Sequence, residues 1–315
     1  MQNQVRNYVK IIKDICEKND INIESFSYDW IFKLRKNNMI NYIIGYQFGL
    51  NAGSVQTICT DKSALSDILI YGNIPTVEHY FFMSPINQKY VSPKGNWKEI
   101  SALLEKHKEI VCKTNNGTGG KNIYHVTNEF ELEKAVFKIF KKSRSMAISP
   151  YYDIENEYRL IVLNGKIKLV YSKNRPYIKG DGNRSIKELY IQYLENNDYM
   201  ELTITNDESN VILESGEVFN LSWKHNLGTG AIAKIVDDAK IINDLNNIAQ
   251  KATELLNLSF VSIDIIHTKN EYRILEINSG VMMEYISQQS SELYTIVENI
   301  YEEAILEMLK YRNLF

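Results

Sequence analysis

Cysteine is nearly absent from this chain. Only Cys16, Cys59 and Cys112 occur. Their odd number and wide scatter exclude a disulfide framework and match no zinc-ligand pattern. Proline is almost as rare, with five residues in 315, and neither a low-complexity linker nor an internal repeat interrupts the sequence. No apolar run reaches the length of a membrane span. Neither sign of charge dominates: 36 Lys and Arg stand against 39 Asp and Glu, a net charge of -3, which argues against sequence-independent nucleic-acid binding. The first ten residues lack the apolar core of a secretory leader, so a reducing, cytoplasmic location is expected. No Ser-His-Asp or Cys-His set offers a protein nucleophile.

What is present is the composition of a soluble globular protein, 44% hydrophobic and 24% charged, in a chain long enough for two or three domains. Helical patterns run over residues 5–18, 62–71, 130–142, 186–194, 241–256 and 292–309. Thr60 and Asp61 are candidate N-caps for the second of these, which ends at Gly72-Asn73. Residues 109–113 and 123–126 read as strands, and residues 159–163 and 166–171 as a hairpin turning at Asn164-Gly165. The order is α+β, with antiparallel hairpins covered by helices.

The most informative stretch comprises two runs rich in β-branched and aromatic residues, 260–266 and 272–278, around the polar turn 267–271. They predict an antiparallel hairpin. With the turn centred near Asn270, Asp264 lies opposite Glu276, and Glu276 shares a face with Asn278. Facing carboxylates repel. A hard divalent cation removes that cost and accepts two carboxylates and an amide as oxygen ligands. The triad therefore suggests Mg²⁺, and Mg²⁺ suggests a phosphorylated ligand. A surface carboxylate pair on an edge strand is the alternative.

Upstream, Lys113 ends a strand before a glycine-rich stretch, residues 115–121. Its Gly117, Gly119 and Gly120 allow close backbone approach to phosphates, although a plain hairpin turn explains such glycines equally well. The spacing is not that of a Walker A loop. Lys62 opens a helix, and Glu157 and Arg159 open a hairpin. Gly180-Asp181-Gly182 precedes another helix. Trp223 to Ala231 contains Asn226-Leu227-Gly228-Thr229-Gly230, trailed by Asp237-Asp238. In this order, over roughly residues 60 to 285, the chain resembles the ATP-grasp superfamily of carboxylate–amine ligases. It resembles most the branch holding cyanophycin synthetase, bifunctional glutathione synthetase and ribosomal-protein S6 glutamate ligase.

The resemblance implies an ATP-grasp fold in which two α+β subdomains clasp ATP. Residues 1–60 would form a reduced N-terminal region and residues 61–315 the ATP-grasp domain, with a lid near 98–150 and a catalytic subdomain over 151–315. It further implies that Lys62 and Lys113 hold ATP phosphates under the glycine loop. The hinge at Ser149, Tyr151 and Tyr152 would read adenine, with Ser149 where the family often has glutamate, and Glu157 would contact ribose. Asp264, Glu276 and Asn278 match the Mg²⁺ ligands, two ions being expected and Mn²⁺ an acceptable substitute. Arg159, Lys173, Arg175, Lys224 and Asn226 belong to the reaction centre. Either Lys173 or Arg175 neutralises the transferred phosphoryl, and alignment through Gly180-Asp181-Gly182 favours Lys173. Salt-bridge or solvated roles are the plainer readings of Arg159, Lys173 and Arg175. His225 and His267 read as polar loop residues, and residues 47–51 as a buried turn or a substrate contact. The implied reaction joins a small carboxylate to an amine, both amino-acid- or peptide-like, through an acyl phosphate, with release of ADP and phosphate. Amino-acid addition to a protein and a weakly catalytic nucleotide-binding module are the alternatives. A homodimer is compatible with the family. The proline common after the metal asparagine is missing, since Ser279-Gly280-Val281 follows Asn278.

Overall fold

Burial of one face of a short amphipathic helix begins the fold. The structure, a computed structural model, describes residues 6–90, 97–117, 119–195, 206–269 and 271–310. Tyr8, Ile12, Ile15 and Cys16 of α1 (Asn7–Lys18) recur at helical spacing and are buried, as a core-facing stripe requires. Glu284 caps this helix from across the molecule, its carboxylate accepting from the Asn7 and Tyr8 N–H groups at 2.9 and 2.8 Å. Strands β1 (Asn22–Phe26), β2 (Ile31–Lys36) and β3 (Met39–Ile44) then form an antiparallel sheet. The expectation for residues 1–60 did not contain this sheet as such. Only β2 buries two alternating residues, Phe32 and Leu34, with one buried in β3 and none in β1, too short a pattern to stand out.

After α2 (Gly53–Thr60), α3 (Lys62–Tyr71) starts where its cap predicts: Asp61 accepts from the Ala64 N–H at 2.9 Å. It stops at Gly72, with Asn73 at φ 55°. A second sheet follows, built from β4 (Tyr80–Met83), β5 (Ile110–Thr114), β6 (Ile123–Val126) and β7 (Ser145–Pro150) in the order β4-β7-β5-β6. Helices α4 (Trp97–His107) and α5 (Glu129–Phe140) cover it through Ile100, Leu132 and Ile139, which pack on Phe82, Cys112 and Ile148. This unit starts at β4, ahead of residue 98. Cys112 is a packed core thiol, and burial pushes it up to about 12.

Next come β8 (Asn156–Leu163) and β9 (Lys166–Asn174), joined at Asn164 and Gly165 with φ 50° and 71°, the left-handed pair that a tight hairpin needs. A small ribbon, β10 (Tyr177–Lys179) with β11 (Val218–Asn220), packs with α6 (Ile186–Glu195) and lies near α7 (Asn206–Ser209). Gly180-Asp181-Gly182 is a turn of this unit. A Cβ on Gly180 would lie 2.2 Å from the Glu214 carbonyl oxygen, and Asp181 accepts from the Asn183 and Arg184 N–H groups. Then β12 (Ile232–Ile235), α8 (Ala239–Leu256), β13 (Phe260–His267) and β14 (Tyr272–Asn278) complete a five-stranded antiparallel sheet of order β12-β9-β8-β13-β14. Short α9 (Glu284–Ser287) and α10 (Ser291–Met308) close the chain. Among the described residues no helix is long and apolar enough to cross a membrane.

The two faces of this sheet differ. Ile263, Ile265, Ile274 and Ile277 pack on Leu245, Ala249 and Ala252 of α8 and on Leu65 and Leu69 of α3. The opposite face is split along its strands. At one end Phe260, Ile161 and Tyr171 join the core formed with α1, the N-terminal sheet and α10. At the other, the same alternation presents Glu157, Arg159, Lys173 and Asp264.

The β13–β14 register refines the expectation. His267 pairs with Tyr272 and Ile265 with Ile274, so strict alternation would set Asp264 opposite Leu275. A bulge between these pairs adds one residue to β14 and brings Glu276 opposite Asp264 instead, with Asn278 opposite Ser262. The bulge keeps Ile274 in the helix-facing core and turns Leu275 and Glu276 to the other side, the re-aiming that β-bulges perform. Asn270 itself lies outside the described residues.

Asn51 ties the N-terminal unit to β13. Its Nδ2 donates to the Phe260 carbonyl oxygen at 2.7 Å, and its Oδ1 accepts from the Ser259 and Phe260 N–H groups at 2.8 and 3.3 Å. Asn51→Leu leaves these buried groups unsatisfied. It is expected to destabilise the protein by about 2–4 kcal/mol, measured as a lower urea midpoint at unchanged m-value.

Candidate active site

Strand ends and one loop from each sheet converge on a cavity of about 750 Å³. Its floor is the polar half of the five-stranded sheet. Its roof is the far end of the second sheet with the glycine loop, and the N-terminal unit closes one side. Of the residues singled out from the sequence, Lys62, Lys113, Gly117, Gly119, Gly120, Ser149, Tyr151, Tyr152, Glu157, Arg159, Lys173, Arg175, Lys224, Asn226, Glu276 and Asn278 all line it. Asp264 lies just behind this lining, 1% exposed. Thr118, within the glycine loop, lies outside the described residues.

Asp264 anchors the floor. Arg159 Nε and Nη2 donate to its two carboxylate oxygens at 2.7 and 2.6 Å, and Lys173 Nζ lies 2.9 Å from Oδ2. Lys173 also donates to Glu157 Oε1 at 2.5 Å. Arg159 thus pairs with Asp264, and Glu157 pairs with Lys173 rather than with Arg159. Burial would push the Asp264 carboxyl up, but the guanidinium of Arg159 and then Lys173 overcome this and hold it below the usual carboxylate range. Burial and Arg159 both push Lys173 down. The carboxylates of Asp264 and Glu157 outweigh them, so Lys173 stays charged. Two cations and two anions therefore balance inside the sheet face, the condition under which buried charges are tolerated. Lys173 is 5% exposed, which excludes the solvated reading for it. Arg175 is half-buried at the cavity wall.

Glu276 and Asn278 face the cavity beside this cluster. Asn278 Nδ2 donates to Glu276 Oε1 at 3.1 Å, leaving the amide oxygen and the second carboxylate oxygen as oxygen donors. Among the described residues no three His, Cys, Asp or Glu side chains form a metal cluster. The donor set is two carboxylates and an amide, all hard oxygens, which suits Mg²⁺.

The cationic wall comes from the roof. Lys62 Nζ donates to the Gly117 carbonyl oxygen at 2.6 Å, so the first turn of α3 holds the glycine loop. Gly117 packs so closely on Thr114 that a Cβ would lie 1.9 Å from its hydroxyl. Gly120, at φ 71°, leaves no room for a Cβ beside Asn226. Asn226 Nδ2 donates to the Gly119 carbonyl oxygen at 3.0 Å, linking roof to floor. Lys113 is 6% exposed. Burial first, and the nearby Lys62 second, push its ammonium down to about 7 against the pull of Glu276 and Glu157.

Further residues at the cavity were not assigned from the sequence. At the hinge end Trp223 lines it, edge-on to Tyr151 at 6.2 Å, and His125, outside the lining, stacks on Tyr151 at 4.0 Å. His225 bonds through Nδ1 to the Lys173 carbonyl oxygen at 2.6 Å. A carbonyl only accepts, so Nδ1 carries the proton. Burial holds this imidazole neutral, pushing it down to about 4. The turn 47–51 is buried at Phe48 and Asn51, as one reading expected, and opens to the cavity at Gln47. Trp30, Ile44 and Tyr46 complete that side. The only sequence signal for them was their neighbourhood to Gln47.

Known proteins resemble this arrangement. The family model for a RimK-like ATP-grasp domain matches residues 172–293. A cyanophycin synthetase of Geminocystis herdmanii is 27% identical over 197 residues, covering 56% of this chain and 22% of that protein. A second, of Trichormus variabilis, is 23% identical over 77% of this chain and 29% of its own length. The chain thus spans less than a third of the curated relatives it matches. A bifunctional glutathione synthetase from Pasteurella multocida superposes with TM-score 0.55 at 16% identity, over 93% of this chain and 43% of that one. A D-alanine–D-alanine ligase from Bacillus anthracis does so with TM-score 0.53 at 16% identity, over 83% and 71%. With its two α+β units clasping one cavity, the chain has the fold of these ligases, and its residues 172–293 match the RimK-like ATP-grasp domain.

Proposed function

We propose that this protein is an ATP-dependent ligase that activates a small carboxylate as its acyl phosphate and joins it to an amine, releasing ADP and phosphate. The observation that carries the reading is one cavity combining a glycine loop, the buried or half-buried cations Lys62, Lys113, Arg159, Lys173, Arg175 and Lys224, and a carboxylate–amide floor. ATP-grasp proteins use ATP, typically with Mg²⁺. The planar base is assigned to the apolar slot between the Ser149–Tyr152 hinge and Trp223, and the polyphosphate to Lys62, Lys113 and the N–H groups of the glycine loop. Glu276 and Asn278, with Asp264 behind them, would hold Mg²⁺, which supplies charge neutralisation at the phosphates.

A carboxylate is a poor electrophile, and phosphorylation gives it a good leaving group. Arg159, Lys173 and Arg175 are assigned to the oxygens on which charge develops during phosphoryl transfer. Arg159 and Lys173 are neutralised by Asp264 and Glu157, so an anionic ligand competes with carboxylates already in position. Closing the glycine loop on Asn226 excludes water that would hydrolyse the acyl phosphate. No protein nucleophile is needed.

Two outcomes test this. Wild-type protein should release ADP and phosphate only when a carboxylate and an amine are supplied together, whereas AMP and pyrophosphate would sink the reading. Glu276→Gln keeps the fold, since Glu276 lies outside the buried ion cluster, and should lower turnover by more than about 100-fold; undiminished turnover would remove Glu276 from the metal set. The second outcome concerns Lys113. At about pH 8 a lysine with pKa near 7 is mostly neutral, and polyphosphate beside it favours the charged form. ATP binding should then take up a proton at that pH, and the uptake should vanish near about pH 5.5, where the lysine is already charged. Calorimetry in buffers of different ionisation enthalpy measures it, after subtraction of ATP's own ionisation. Uptake that persists in Lys113→Gln refutes the assignment.

A further inference from the structure

The corner of the N-terminal sheet has no part in the nucleotide chemistry, yet it walls one end of the same cavity. Trp30 precedes β2, Ile44 ends β3, and Tyr46 and Gln47 follow. The corner is firmly built. The Gly45 N–H donates to the Trp30 carbonyl oxygen at 2.8 Å, and the indole lies so close over Gly45 (φ 55°) that a Cβ there would meet it at 2.6 Å. Tyr46 stands edge-on to Trp30 with centroids 6.1 Å apart and packs on Tyr8 at 4.8 Å. Arg6 sits 5.6 Å from the indole centroid.

This corner is also stitched to the catalytic floor. Gln47 bridges Gly280 in antiparallel fashion, and the Val281 N–H donates to the Tyr46 carbonyl oxygen at 2.9 Å. The segment so held begins two residues after Asn278, and Met282 from it lines the cavity beside the corner. Trp30, Ile44, Tyr46 and Met282 thus form an apolar wall with one amide, Gln47, while the charged lining residues derive from the floor and roof. Trp30 and Ile44 remain 44% and 48% exposed although they line a cavity. A ligand covering them would remove apolar surface from water. A charged side chain there would lose hydration, and the nearby cation, Arg6, already lies over the Trp30 ring and hydrogen-bonds Tyr46.

We propose that one of the two substrates joined at this site is an amino acid, or a peptide ending in one, with a large apolar side chain, aromatic or branched aliphatic, seated against Trp30, Ile44 and Met282. The proposal rests on the ligase reading and narrows its substrate class. A pocket of this kind discriminates by about 10- to 200-fold for each methylene-sized difference. Edge-to-face contact with Trp30 and Tyr46 favours a ring further.

The test has two readouts. The first is ADP release from ATP over all pairs of a panel of L-amino acids, including phenylalanine, leucine, glycine, aspartate and lysine. The fastest pairs should contain phenylalanine, leucine or a similar residue. The second is calorimetric binding of the same amino acids to protein saturated with a non-hydrolysable ATP analogue and Mg²⁺, which needs no turnover. Trp30→Ala and, separately, Ile44→Asp should weaken phenylalanine and leucine binding about tenfold or more while glycine binding changes little. Ile44 is half exposed at a strand end, so its variant tests the wall without disturbing the core under Trp30. ADP release that is fastest with charged or small pairs only, or a binding order that neither variant alters, overturns the apolar subsite and leaves the ligase reading standing. AMP formation, or no nucleotide turnover with any pair, overturns the ligase reading; apolar selectivity in the binding arm would then still mark the subsite.

Discussion

The buried charge cluster at the centre of the five-stranded sheet governs this molecule. Asp264 is held bidentately by Arg159 and again by Lys173, and Lys173 is shared with Glu157. Removing one member of such a set strands the others without water, a loss of about 3–5 kcal/mol. The cluster lets a sheet face that is apolar at Phe260 and Tyr171 become ionic at Asp264 and Lys173, four and two residues further along the same strands. Arg159 and Lys173 are thereby already balanced within the protein. An anionic ligand would gain from these two only the difference between its own attraction and that of Asp264 and Glu157.

The roof and floor are joined by few but specific contacts. Lys62 reaches the Gly117 carbonyl and Asn226 reaches the Gly119 carbonyl, so side chains from two separate segments grip the backbone of one loop. Glycine is favoured at Gly120, which adopts φ 71° and packs on Asn226, and Gly117 packs closely on the Thr114 hydroxyl. Lys113 and Lys62 repel each other under this loop, a cost that a polyphosphate would relieve. Substrate selectivity, by contrast, is assigned to the N-terminal corner, where Trp30 and Ile44 expose apolar surface rather than charge.

Much of this was legible in the residues. The Asp61 cap, the Asn164-Gly165 turn and the helical stripes of α5, α8 and α10 are local signals, and local hydrogen bonding or periodicity decides them. Asp238 likewise caps α8, accepting from the Lys240 and Ile241 N–H groups. The three-stranded N-terminal sheet was not legible, because its strands are short and draw their stability from packing on α1 and α10. The Gly180-Asp181-Gly182 turn could be recognised as a motif, but its work is structural, in the ribbon under α6. Trp30, Tyr46, His125 and Trp223 carried no signal of their own, since an isolated aromatic residue is as often core as site.

The sequence by itself determined that Asp264, Glu276 and Asn278 occupy one antiparallel hairpin, that glycines follow Lys113, and that the chain is α+β with an ATP-grasp order of motifs. The expected pairing of Asp264 with Glu276 holds, but only the tertiary structure decided how it is reached: one bulged residue, Leu275, moves Glu276 from beside Asp264's partner position into it. Only that structure decided that Asp264 gives its charge to Arg159 and Lys173 rather than standing open to the cavity, since those pairings join β13 to the β8–β9 hairpin, Arg159 and Asp264 being 105 positions apart. The alternation of a strand is a local property. Which buried cation answers which carboxylate depends on desolvation and on distances of a few ångströms, and these exist only once the sheet is assembled.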